Sequence, residues 1–131
     1  MLKNNEGLVA VARATLASKG RKCQETIGDA PGAVEFTYPN DYTEGMEYSC
    51  SITVDPERGT RVVLFKMDKL MCELFLDNGT SRGTKMENLF KSIEAFNKFC
   101  VTCDDDLAYV GALRSRRTPG ATNPSRSVFL A

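Results

Sequence analysis

The most reactive side chains lie late in the chain. Cys100-Val-Thr-Cys103 is a Cys-x-x-Cys pair. Structural zinc takes four nitrogen or sulfur ligands. The chain has no histidine, so the pair is half a metal site at most. A dithiol redox centre wants its cysteines at a helix N-terminus, where the thiol pKa is lowered. Cys100 and Cys103 instead follow the far end of an apolar helical stripe, so they read as structural. Asp104-Asp105-Asp106 comes next. It lacks the alternating acidic spacing and glycine of a cation loop. It reads as the first turn of a helix, where carboxylates complement the dipole. Arg114, Arg116 and Arg117 could bind phosphate or form the solvated last turn of that helix. There is no glycine-rich phosphate loop and no nucleophile elbow. Acid–base chemistry without histidine needs paired carboxylates in a cleft, and none can be placed. The expectation is a protein that is not an enzyme and uses no metal or cofactor.

Composition narrows the remaining classes. The 131 residues suit one domain, with 42% apolar and 26% charged residues, as in a soluble globular protein. Basic and acidic residues balance at 17 each. A nucleic-acid binder working through its global field would carry a positive excess, so any such role must rest on a local surface. No apolar run approaches the roughly 18 residues of a membrane span. The N-terminal "MLKNNEGLVAVARATLA" makes a poor signal peptide, with Glu6 ahead of its apolar stretch. The five cysteines are an odd number, and Cys50 and Cys72 sit inside apolar strand patterns. They read as buried free thiols in a reducing compartment.

Several elements must position these residues. Residues 8–16 fit both a helical stripe (Leu8, Val11, Ala12, Leu16) and a strand alternation, so 1–30 form either a helix or a hairpin. Lys19-Gly20 ends that element, and "RKCQETIG" fits a returning strand. "GAVEFTY" is a strand bounded by Pro31-Gly32 and Pro39-Asn40. In "YSCSITV", Tyr48, Cys50, Ile52 and Val54 point one way, and Ser49, Ser51 and Thr53 the other. "DPERG" is a turn before the strand "TRVVLFKM". Asp68-Lys69 is the candidate two-residue turn before "LMCELFLD". A turn there pairs Met67 with Leu70, Phe65 with Cys72, and Val63 with Leu74. The opposite face then carries Thr60, Val62, Leu64, Lys66, Met71, Glu73 and Phe75, and a one-residue slip inverts the assignment. Thr84-x-x-Glu87 is a capping box. It opens a helix with Met86, Leu89, Phe90, Ile93, Phe96 and Cys100 on its stripe. A second helix is favoured over a strand for about 104–117, with the Pro/Ser-rich tail 118–131 beyond it.

The order "GAVEF", "YSCSITV", turn, "TRVVLFKM", "CELFLD", amphipathic helix resembles the coat proteins of single-stranded RNA bacteriophages. The resemblance covers roughly residues 30–117. It implies an α+β domain over 1–117: an antiparallel sheet of five to six strands with two C-terminal helices packed on one face. It also implies an interlocked dimer, with Met86, Leu89, Phe90, Ile93 and Phe96 at the dimer interface. Such subunits assemble into an icosahedral shell in the host cytoplasm and bind genomic RNA hairpins on the open sheet face. The matching RNA-binding positions are Ser49, Ser51, Thr53, Thr60, Lys66, Lys69 and Glu73. Hydroxyls and lysines suit phosphates and looped bases. The long loop of that family between its last two strands is missing here, where only Asp68-Lys69 is available. The strand–helix core also resembles the Alu-RNA-binding subunits of the signal recognition particle, which are usually basic. A third similarity is to dimeric peptide-binding secretion chaperones, whose last segment would make 107–113 a strand.

Overall fold

A computed structural model describes residues 4–41 and 44–116. Two helices cover one face of a five-stranded antiparallel sheet. Helix α1 is Asn4–Ser18, followed by β1 Gln24–Ile27, β2 Val34–Tyr38, β3 Tyr48–Asp55, β4 Gly59–Lys66, β5 Lys69–Asp77 and helix α2 Arg82–Arg116. The strands pair in chain order as a simple meander. The expected α+β class and antiparallel sheet are therefore present. One helix differs from expectation: a single long one replaces the expected C-terminal pair, while the other is N-terminal, where helix and hairpin were both open.

The open choice for residues 1–30 resolves as a helix followed by a strand. Leu8, Ala12 and Leu16 repeat every four residues and are buried, so α1 lays one stripe on the core. It ends as the sequence indicates. Gly20 takes φ +76°, its N–H donates to the Ala17 carbonyl, and the Arg21 N–H donates to the Leu16 carbonyl. That doubly bonded glycine stop suits a residue without a Cβ.

Helix α2 starts slightly earlier than the capping box predicts. The Ser81 hydroxyl accepts the Thr84 N–H at 3.1 Å, so Ser81 is the cap. Leu89, Ile93, Phe96, Cys100, Cys103 and Val110 are buried at alternating steps of three, four and seven residues. The stripe therefore runs straight through the Cys-x-x-Cys pair. With no glycine or proline to break it before Gly111, the chain continues as one helix through 107–113, and no strand forms there. Positions 114 and 116 fall in its last turn, while Arg117 and the tail 118–131 lie outside the described residues.

Between β3 and β4, Asp55 Oδ1 accepts the N–H groups of Glu57 and Arg58 and closes the turn. Gly59 then passes so close to β5 that a Cβ would lie 2.5 Å from the Leu76 carbonyl oxygen. Only glycine fits that approach.

The last hairpin turns one residue earlier than expected. Lys66 pairs with Lys69, so the turn is Met67-Asp68, with Met67 at φ +58°. The Met67 N–H is already committed to the Glu47 carbonyl, which prolongs the β3–β4 ladder and leaves Met67 to begin the turn. A bulge between Leu64 and Phe65 absorbs the extra residue. The pairs are then Phe65 with Leu70, Leu64 with Cys72, and Val62 with Leu74. The expected pairs of Phe65 with Cys72 and Val63 with Leu74 do not form.

Candidate functional site

The register decides which side chains share a surface. Paired residues on adjacent strands point to the same face. Cys50 pairs with Leu64, Ile52 with Val62 and Phe36, and all lie in the core under the helices. Ser51 pairs with Val63 and Thr37, Thr53 with Arg61 and Glu35, and Ser49 with Phe65, on the uncovered face. Glu73 pairs with Val63 and Phe75 with Arg61, on the same uncovered face.

The expected RNA set is therefore split. Ser49, Ser51, Thr53 and Glu73 do share the open face. Ser51 is only 4% exposed, leaving its hydroxyl little access to a ligand. Thr60 pairs with Val54 and Leu76 on the helix side and is 2% exposed. Lys66 pairs with Tyr48, also on the helix side. Its Nζ lies 5.8 Å from the Tyr48 ring centroid and 4.0 Å from Glu47 Oε1. Lys69 sits across from Lys66 at the hairpin tip rather than on the open face. The β3–β4 register, which pairs Thr60 with Val54 and Lys66 with Tyr48, puts both on the helix side.

Sequence reasoning missed Arg61 and Phe65, which complete the open face with Phe75, a residue it placed beside Glu73 without counting it as a contact. Their alternation was visible, but only the register assigns it a side. Arg61 forms an ion pair with Glu73. Near one end, Ile27, Pro31, Glu35, Arg58, Arg61 and Phe75 line a shallow depression of about 560 Å³. The face thus combines hydroxyls, two aromatics and a paired arginine. Bases can stack on the aromatics. The neutralised arginine gives little general pull on phosphate.

The expected dimer residues divide as well. Leu89, Ile93 and Phe96 are buried in this chain's own core, so they cannot also face a partner. Met86 is half-buried against the same core. Only Phe90 is well exposed, turned outward at 48%. The free apolar surface lies elsewhere. β5 has an unpaired edge nine residues long, with Leu70, Met71 and Phe75 each about half exposed. Cys72, read from sequence as a buried thiol, is exposed on the helix side of that strand.

The acidic run does not open a helix, since it lies well inside α2. Asp104 receives the Arg21 guanidinium at 2.7 Å and the Tyr38 hydroxyl, and Arg21 also donates to Asn97 Oδ1 at 2.8 Å. Burial first, and the hydrogen bond to Asp104 second, push the Tyr38 hydroxyl up to about 12. Asp106 Oδ2 accepts the N–H groups of Glu47 and Tyr48 and anchors the start of β3. These carboxylates join helix to sheet. Among the described residues, no group of three cysteine or acidic side chains could hold a metal ion. Nor is any described helix long and apolar enough to cross a membrane.

Comparison with family models, with curated proteins and with solved structures finds no match.

Proposed function

We propose that this chain is a self-associating structural protein, a coat-type subunit that pairs with a second copy along β5 and presents its open sheet face to RNA. The observation that carries the reading is the β5 edge. A nine-residue edge strand with exposed Leu70, Met71 and Phe75 is the kind of edge that isolated proteins blunt with charge, proline or a covering element. Its charges are Lys69 and Asp77 at the two ends and Glu73 between them, which Arg61 neutralises. Two copies joined edge to edge across a twofold axis would form one continuous ten-stranded sheet (five strands from each). The exposed helix-side surface at Cys72 would then face the partner's helix.

The RNA half of the reading rests on the uncovered face. Phe65 and Phe75 offer stacking platforms, and Ser49, Thr53 and Arg61 offer polar contacts beside them. Lys66 and Thr60 have no part in it. The chaperone reading loses the feature that distinguished it, because 107–113 is helical. Zero net charge continues to weigh against the signal-recognition-particle reading. As a coat subunit, the protein would assemble in a host cytoplasm, reside in the virion and catalyse nothing.

Electron microscopy of the purified protein, together with sedimentation analysis, tests both levels. Closed shells of uniform size support the coat reading. Dimers that never close into shells overturn the shell but keep the β5 pairing. A monomer at tens of micromolar overturns both.

A further inference from the structure

Three of the five cysteines converge at one point in the core. Cys50 sits on β3, the central strand, while Cys100 and Cys103 lie one turn apart on α2. The Cys50 Sγ is 3.8 Å from the Cys100 Sγ and 3.8 Å from the Cys103 Sγ. All three are free, buried thiols. A single buried cysteine is an ordinary small hydrophobe. Three in mutual reach, from two elements packed face to face, have a further chemistry available. Because these donors lack metal-holding geometry, that chemistry is oxidation to a disulfide.

We propose that Cys50 is the shared partner of a core redox unit. On oxidation its Sγ bonds to the Sγ of Cys100 or Cys103 and ties α2 covalently to the central strand. The oxidant is a hydroperoxide. One thiol of the pair loses its proton and attacks the peroxide oxygen. The O–O bond breaks, the sulfur becomes a sulfenic acid, and an alcohol leaves carrying the proton (water, when hydrogen peroxide is used). The second thiol attacks that sulfur, the S–OH bond breaks, and water departs. Two thiols and one hydroperoxide thus become one disulfide, one alcohol and one water. The two electrons lost by sulfur end on the peroxide oxygens.

The closed fold keeps the reaction slow. Hydrogen bonds with Cys100 and Cys103, and then burial, push the Cys50 thiol up, so it stays protonated. Attack requires α2 to lift locally from the sheet. The bridge, once made, holds down the helix whose lifting admitted the oxidant.

The test uses the full chain, exposed to hydrogen peroxide and then denatured for thiol counting and peptide mapping. Five free thiols before treatment are expected to fall to three, since 5 − 2 = 3. The bridged peptide should contain Cys50 and the 100–103 segment. The thermal midpoint should rise by several degrees and return after dithiothreitol. Five surviving thiols, bridges confined to Cys23 or Cys72, or an unchanged or lower midpoint overturn the proposal. Cys72→Ser removes the exposed thiol and should still lose two. Cys50→Ser should keep all four of its thiols, and a Cys100–Cys103 bridge in it overturns the role of Cys50. If Cys50→Ser does not fold, the Cys72→Ser map decides alone.

Discussion

Ser49 and Lys66 stand on opposite faces of the sheet although they lie on neighbouring strands. Ser49 pairs with Phe65 on the open face, while Lys66 pairs with Tyr48 on the helix-covered face. The separation follows from the β3–β4 register, which sets Phe65, Val63 and Arg61 beside Ser49, Ser51 and Thr53. It moves the candidate RNA surface away from the lysine and onto the aromatics.

RNA binding should therefore be indifferent to Lys66 and sensitive to Phe75. Phe75→Ala removes a stacking platform, and base–aromatic stacking is worth about 1–3 kcal/mol per base. The expected result is a loss of about tenfold in affinity for hairpin RNA in filter-binding or fluorescence titrations, with Lys66→Ala unchanged. The reverse pattern would place the RNA on the other face.

Self-association should fail when the β5 edge is charged. Met71 is exposed on that edge, so Met71→Lys costs the isolated subunit little. Sedimentation should show a folded monomer where the parent chain forms a dimer. A dimer of unchanged stability would move the interface away from β5.

Stability should distinguish two phenylalanines on the same helix. Phe96 is fully buried, so Phe96→Ala should cost about 3–5 kcal/mol in urea unfolding. Phe90 is turned outward, so Phe90→Asp should shift stability by no more than about 0.5 kcal/mol. Comparable losses for the two would contradict the orientation of α2.

The alkaline limb of the stability profile should contain a Tyr38 step. Its hydroxyl is raised from 10.0 to about 12 in the fold. A raised folded-state pKa contributes stability that is fully present below about 10 and lost as pH rises towards 12. Tyr38→Phe should flatten that limb. An unaltered limb would mean that Tyr38 ionises freely.

The acid limb should show the opposite sign for Glu25. Arg13 donates to both of its carboxylate oxygens, at 2.8 and 2.9 Å, and holds the carboxyl below its usual 4.5. That contribution is present above the ordinary value and disappears as pH falls through the lowered one. It is small, because the pair is exposed. Glu25→Gln should reduce the slope of acid unfolding below about pH 4.5 and leave neutral stability nearly unchanged, as monitored by circular dichroism.

Much of the architecture was legible in local pattern. Alternation in "YSCSITV" assigned both faces of β3 correctly, because a strand's side chains alternate whatever surrounds it. The stripe at Leu89, Ile93 and Phe96 identified α2, and Lys19-Gly20 marked the end of α1. Residues 8–16 remained undecided because a short apolar run satisfies both periods. The acids at 104–106 were misplaced for a related reason: a carboxylate cluster looks the same at a helix start and in a helix middle. Their partners, Arg21, Tyr38 and the N–H groups of Glu47 and Tyr48, are distant in sequence.

The sequence by itself determined the order of elements, the strand alternations and the apolar stripe, all of which depend on residues within a few positions of one another. Tertiary structure alone decided the β4–β5 register, the side on which Lys66 falls, the burial of Leu89 and Phe96 within their own chain, and the meeting of Cys50 with Cys100 and Cys103. Each of these depends on a pairing across distant segments. One bulge, between Leu64 and Phe65, is enough to shift such a pairing by a residue and exchange the two faces of β5.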